Sequence, residues 1–269
     1  MEPLLPSSSL VKDMELSELN YMHDRMTAIQ NREGNPEGVD IRRFGHALCF
    51  YSRTMPWGSF NTVKGITKDD AEFIKPILDF YRERDRKAQF EVVPSVVDTN
   101  LLQSLSDQGF YQSGFHTSTM IEPQLFHDQL PDHIAIEELK EDQFETYAMI
   151  HCRGTGLPDS GIPPVAANNR VLYHRPGWKF FIAYVHGEPA AAAVMHSQDG
   201  IASLTFAATL PRFRRMGLHH FLLKRRIEEA WRNNCRLVVA QCAFLSQSHR
   251  NMERVGMKIG YMKTIWTEA

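Results

Sequence analysis

Arg212, Arg214, Arg215 and Gly217 lie in the stretch Thr205 to Leu222 (TFAATLPRFRRMGLHHFL), where residue types and spacing best suit chemistry. An apolar, β-like run breaks at Pro211, passes through the three arginines and turns at Gly217 into an amphipathic segment. Leu218, Phe221, Leu222, Leu223, Ile227, Ala230 and Trp231 recur at three- and four-residue steps, so the spacing predicts a helix with one buried face starting near Gly217. The first turn of such a helix leaves N–H groups without intrahelical partners, and the aligned peptide dipoles add partial positive charge there. A glycine lets an anion approach that backbone closely, so the expected guest is a diphosphate.

A loop of this kind needs a strand to deliver it and further strands beside it. Ile201 to Ala208 reads as the delivering strand, and Trp178 to Val185 with Pro189 to Met195 as a hairpin through His186-Gly187-Glu188. Leu237 to Cys242, after an Asn233-Asn234 stop, is a continuous apolar run of the kind a strand covered on both faces shows. Ser248 to Arg254 is too short to be helical unaided, so it must be packed, and Gly256 ends it before Met257 enters a last strand. Ser248 and Asn251 suit either local capping of that turn or contact with a ligand. Upstream, Ile134 to Leu139 reads as a strand, Glu141 to His151 as a helix, and Gly154 to Pro164 as a loop.

An earlier stretch repeats this order. Leu16 to Gln30 has helical spacing, and Asn31 to Asp40 is a Gly/Pro/Asn loop. Phe44 to Tyr51 and Ser59 to Val63 read as strands on either side of a Met55-Pro56-Trp57-Gly58 turn. Lys68 to Arg86 reads as a helix opening at Thr67, Phe90 to Val93 as a strand, Thr99 to Gln108 as a helix closed by Gly109, and Tyr111 to Ile121 as a strand. Where the later half has its arginines, this half has Asn61-Thr62-Val63-Lys64-Gly65-Ile66. The expected organisation is a flexible segment over residues 1–15, a domain over 16–123 without a cofactor loop, a linker over 124–132, and a second domain over 133–269.

The chain of 269 residues is 43% hydrophobic, enough for two ordinary cores. Its net charge of −2 offers no global field for nucleic acid or an anionic membrane. No apolar run approaches the ~20 residues a bilayer span requires. Met1 to Val11 lacks the pattern of a secretion signal, so the expected location is cytoplasmic. Cys49, Cys152, Cys235 and Cys242 lie far apart with no C-x-x-C pair, which suits reduced thiols filling core space. The histidines show no metal spacing, and the adjacent His219 and His220 cannot share one helix face, so no metal is expected.

In register, Arg214-Arg215-Met216-Gly217-Leu218-His219 resembles the R-x-x-G-x-G/A pyrophosphate loop of the GNAT superfamily of acyl-CoA-dependent N-acyltransferases. Thr209 and Pro211 fall where that family often has V-x-P, and His219 stands in place of the last small residue. Ile134 to Trp266 look like one complete GNAT domain, and Leu16 to Glu122 resemble the degenerate amino-terminal copy of tandem members, as in a bacterial tandem group. The resemblance implies an α/β fold of two GNAT-like domains, each a mixed, mostly antiparallel sheet flanked by helices. It also implies a V-shaped splay between the two parallel central strands of the C-terminal domain. It implies acetyl-CoA as co-substrate and a small-molecule amine as acceptor, without nucleic acid, membrane or metal, and leaves a homodimer open. The cofactor contacts it implies are Ala207, Ala208, Thr209, Arg214, Arg215, Met216, Gly217, Leu218, His219, Ser248 and Asn251.

The implied reaction is acyl transfer from a thioester to an amine. An amine with a free pKa of ~10.4 must lose a proton, and a departing thiolate of pKa ~8.5 profits from a donor. Family members often carry a carboxylate on the strand before the loop, but Ile201 to Ala208 has no ionisable group. Where a tyrosine often serves as acid stands Met252. The catalytic acid and base are therefore unassigned, with Ser248, Asn251 and His219 as candidates and backbone N–H groups of the pre-loop strand as holders of the thioester carbonyl. A catalytically silent acyl-CoA-binding sensor or scaffold is the alternative. A nucleic-acid binder using Arg212 to Arg215 and Lys224-Arg225-Arg226 ranks last, because Glu228 and Glu229 balance that run and Arg225 can pair with Glu229.

Overall fold

A computed structural model describes residues 4–55, 57–127 and 129–269. Met1 to Pro3 of the expected flexible segment, Pro56 of the expected turn and Asp128 of the expected linker lie outside the described residues. The chain forms two compact units, one of Leu5–Ser118 with Gly260–Ala269 and one containing Thr119–Ile259.

The first unit opens with α1 (Ser8–Gln30), which starts well before the expected Leu16. Ser7 caps it by accepting from the Leu10 N–H, and Leu10, Val11 and Met14 are buried, so residues 8–15 are ordered rather than a flexible lead. The expected single strand Phe44 to Tyr51 is instead a hairpin of β1 (Asp40–Phe44) and β2 (Ala47–Tyr51), because Gly45 takes a φ of 57° and turns the chain there. Little of the expected Ser59 to Val63 strand forms: Gly58–Phe60 is a turn of 3₁₀-helix and only β3 (Val63–Lys64) pairs. Thr67 caps the next segment as expected, although its first turns, Lys68–Phe73, are 3₁₀ before α2 (Ile74–Arg82). Then come β4 (Gln89–Val92), α3 (Thr99–Asp107) and β5 (Phe110–Ile121). β3 runs parallel to β4 at Val63↔Phe90.

In the second unit β6 (Ile134–Glu138) precedes α4 (Phe144–Thr155), which Gly156 closes at a φ of 82°. Part of the expected Gly154 to Pro164 loop is α5 (Ile162–Arg170), with Pro163 and Pro164 in a first turn that needs no N–H. The expected hairpin is β7 (Trp178–Val185) and β8 (Glu188–Gln198), followed by β9 (Ile201–Thr209) and α6 (Leu218–Arg232). The chain finishes with β10 (Leu237–Cys242), α7 (Gln247–Arg254) and β11 (Lys258–Glu268). From Gly260 onward β11 packs with the first unit, pairing antiparallel with β4 from Thr264↔Val92 to Thr267↔Gln89.

The strand order β10-β9-β8-β7-β6 is antiparallel except for β9 and β10, which run parallel. Their register runs from Leu237↔Ile201 to Ala240↔Leu204 and stops, while β9 continues to Thr209. That is the expected splay. Just there, β9 shifts register against β8 between Val194↔Phe206 and His196↔Ser203, a bulge that re-aims its backbone. The α6 residues Leu218, Leu222, Leu223, Ile227 and Ala230 form the core against Ala202, Leu204 and Val238, while Trp231, expected on that face, is 49% exposed. Among the described residues no helix is long and apolar enough to cross a membrane.

Candidate functional site

The splay opens into a cavity of about 860 Å³, within the range typical of small-molecule sites. Its walls are the end of β9, the loop before α6, the first turn of α6 and one face of α7. Of the residues the sequence singled out, Ala207, Ala208, Thr209, Arg214 and Arg215 line it, as do Gly217, Leu218, His219, Ser248 and Asn251. Met216 does not line it and is exposed.

Arg215 at φ 68° and Gly217 at φ 77° both sit in the left-handed region and bend the loop sharply. Glycine adopts this freely; a Cβ at Gly217 would sit 3.2 Å from the Phe221 ring. Gly217 is the N-cap of α6 and has no side chain to cap with. The N–H groups of Met216, Gly217, Leu218 and His219 therefore find no acceptor among the described residues. The three arginines are not equivalent. Arg212 is committed to an ion pair with Glu188, and Arg214 donates to the Gly154 carbonyl at 3.0 Å. Arg215 has no ion pair among the described residues.

Gly154, at the start of the stretch expected as a loop, also lines the cavity and is explained by packing: a Cβ there would lie 2.9 Å from the Ala208 Cβ. Its bareness lets the end of α4 reach β9 and present a carbonyl to Arg214. Phe213, His220, Gln247 and Arg254 also line the cavity without having been assigned to it. Gln247, Asn251 and Arg254 share the four- and three-residue spacing of one helical face, a signal present in the sequence.

That face forms a network. Gln247 Nε2 donates to Asn251 Oδ1 at 3.0 Å and Arg254 Nη1 donates to it at 2.9 Å, so the Asn251 amide must present its NH₂ to His219 Nδ1, 3.1 Å away. Nδ1 of His219 is thus an acceptor, and any ring proton sits on Nε2. Burial, then the Arg226 charge and His220, hold the His219 pKa down to about 4. A neutral imidazole with that pKa is a weak base at pH 7, and its Nε2–H is a fixed donor. Ser248 is not the helix cap; Ser246 is, accepting from the His249 N–H at 3.1 Å, which leaves the Ser248 hydroxyl to the cavity. Met252 is buried in the core behind α7. Among the described residues that line the cavity none is a carboxylate.

The basic run on α6 is also resolved. Arg225 pairs with Glu229 at 2.5 Å as the spacing anticipates, but Arg226, grouped in the sequence with that charge-balanced run, is 1% exposed. An apolar-period count cannot find a charged residue turned inward.

A mixed sheet with a splayed parallel pair thus opens on an uncapped helix start lined by arginines, an arrangement suited to an anionic ligand. Residues 135–257, within the second unit, match the model of the acetyltransferase (GNAT) family, the family the loop motif resembles. The chain's fold is similar to that of a GCN5-related N-acetyltransferase from Kribbella flavida, with TM-score 0.65 at 14% identity over 91% of this chain and 95% of that one. A functionally unknown conserved protein from Staphylococcus epidermidis gives TM-score 0.61 at 14% identity over 90% and 98% of the two chains. A tandem GNAT protein from the clavulanic acid biosynthesis pathway gives 0.56 at 16% identity over 71% and 67%. The sequence matches no curated protein.

Proposed function

We propose that the second unit is an acyl-CoA-dependent N-acyltransferase that transfers an acetyl group from acetyl-CoA directly to a primary amine of a small molecule in the cytoplasm. The observation that carries this reading is the unsatisfied N-terminus of α6, opening on the 860 Å³ cavity between Arg214 and Arg215. These residues fit a CoA diphosphate: bare N–H groups, a left-handed glycine without a Cβ, and guanidinium groups at the rim all favour an anion. Met216, Gly217, Leu218 and His219 would hold the diphosphate through backbone, while Arg214 and Arg215 hold it through charge. Ala207, Ala208 and Thr209 border the pantetheine path on one side, with Ser248 and Asn251 on the other.

Bound acetyl-CoA supplies a thioester, an acyl group already activated for attack by nitrogen. The chain's own part is then positional. Backbone N–H groups of β9 beyond Leu204, no longer paired by β10, orient a carbonyl oxygen. Asn251 fixes the His219 ring so that its Nε2–H faces one way only. With no carboxylate among the described residues lining the cavity, the amine proton leaves to water.

The same lack of a carboxylate supports a second reading, a binding protein that holds acyl-CoA without turnover. Acetyl-CoA incubated with a panel of small amines, with thiol release followed by colour, separates the two. Thiol release that depends on the amine and saturates with acetyl-CoA is expected. Saturable CoA binding without thiol release from any amine would favour the binding protein instead.

A further inference from the structure

Arg226 is the largest charged side chain fully inside the core, at 1% exposure on α6. It has no carboxylate partner among the described residues; its bonds go to carbonyls alone. Nε donates to Leu222 O at 3.0 Å, and Nη1 donates to both Val194 O at 3.0 Å and Phe206 O at 3.1 Å. A buried cation without a counter-charge is costly, and an apolar side chain here would extend the stripe of Leu222, Leu223 and Ile227. The chain keeps the charge at one particular peptide group.

That peptide joins Phe206 to Ala207. Val194 and Phe206 are register partners on β8 and β9, immediately before the bulge. One nitrogen reaches both carbonyls, so the Phe206 C=O lies on the β8 side of β9. In a planar trans peptide the N–H points opposite to the C=O. The Ala207 N–H therefore points to the β10 side, where pairing has ended at Leu204↔Ala240 and where Ala207 lines the cavity. A charged donor on a peptide carbonyl polarises the group and strengthens its N–H as a donor.

We propose that Arg226 is a positioning residue that polarises the Phe206–Ala207 peptide, so that the Ala207 N–H binds the ligand's acyl carbonyl oxygen more strongly and steadies negative charge developing on it. The inference rests on the reading of the cavity as an acyl-CoA site and adds the group that arms its backbone donor. The guanidinium's charge also reaches His219, where it is the second cause, after burial, of the low pKa. Burial pulls the Arg226 pKa down to about 9, which leaves it charged at neutral pH.

The test uses acetyl-CoA carrying carbon-13 at the acetyl carbonyl, without any amine, and isotope-edited infrared spectra of wild type, R226K and R226Q. In the wild type the bound carbonyl band lies below its position in water. In R226Q it moves up, and in R226K, which keeps the charge, it returns part of the way. Calorimetry runs beside it: R226Q weakens acetyl-CoA roughly threefold to tenfold relative to CoA, which has no acyl carbonyl, as expected for one weakened hydrogen bond. A merely structural loss would weaken both ligands alike. A wild-type band at or above its position in water overturns the proposal without any variant. Identical bands in all three proteins overturn the role of Arg226 while leaving the site reading intact. No saturable band in the wild type overturns the site reading itself, and the role of Arg226 with it.

Discussion

β9 with β10 and β3 with β4 are each built as strand, loop, helix and parallel strand, and they end in opposite ways. Beyond β9 the long loop Leu210 to Gly217 leaves the start of α6 bare, with a cavity of about 860 Å³ beside it. Beyond β3 the link Gly65 to Thr67 is short, and the helical turn that follows is closed by its own side chains. Asp70 accepts from the Thr67 N–H at 2.8 Å and from the His46 N–H at 2.9 Å. Burial pushes the Asp70 pKa up, but these bonds outweigh it and hold the carboxylate below its ordinary value. The anion this helix start attracts is already covalently attached. Next to it, Lys64 and Lys263 are both shared by Glu18 and Glu91, all buried, around a space of about 10 Å³. Burial disfavours the Glu18 carboxylate, but the two lysines more than offset this and hold its pKa far down. An open N-terminus beside Arg215, which has no ion pair among the described residues, suits an incoming anion; a self-capped N-terminus with its cations neutralised in place makes a core.

The comparison breaks most visibly at the buried ring. Lys263→Met leaves two carboxylates on one lysine, and urea denaturation is expected to show a loss of about 3–5 kcal/mol. A loss under ~1 kcal/mol would mean the ring does not hold the first unit together. On the other side, Arg214→Ala combined with Arg215→Ala removes two exposed cations and keeps the helix start. CoA affinity by calorimetry is expected to fall roughly tenfold to several hundredfold. Stability should stay within about 0.5 kcal/mol.

Smaller effects sharpen the contrast through pH. Burial, then Glu18, raises the Glu15 pKa to about 7, so the folded chain binds a proton there that the unfolded chain gives up near 4.5. The stability from this group is present below about 4.5 and is lost as pH rises through 7. Glu15→Gln should therefore stabilise at pH 8, on the order of 1–2 kcal/mol after allowing for partial exposure, and do little at pH 4.5. His219, held at about 4 against an ordinary 6.5, has the opposite sign. Its contribution is present above about 6.5 and is lost as pH falls toward 4, and His219→Asn should flatten that limb of the stability curve.

The elements of the second unit were legible because glycines, prolines and asparagines punctuate them, and because the strand-to-helix switch at Gly217 changes period from two to 3.6. The first unit was harder. Its β1–β2 turn rests on a single Gly45 inside an apolar run, and the start of α1 rests on Ser7 in a polar lead that reads as loose. Of the candidate site, the backbone-facing residues were legible and the side-chain partners were not. Ser246 rather than Ser248 caps α7, because capping depends on where the first turn begins and not on residue type. Arg226 and the Lys64/Lys263 ring were invisible, since burial of a charge is decided by partners distant in sequence.

Isothermal titration with CoA, of the wild type and of Gly217→Glu, tests the account most directly. Glutamate adds a Cβ at a left-handed position and a negative charge where backbone N–H groups are bare, so strain of ~1–2 kcal/mol and repulsion of an anion both follow. The account predicts one CoA per chain in the wild type, and no measurable heat in a variant that still melts cooperatively. A Gly217→Glu protein that folds and binds CoA like the wild type, or a wild type that takes up a second CoA in its first unit, would contradict it.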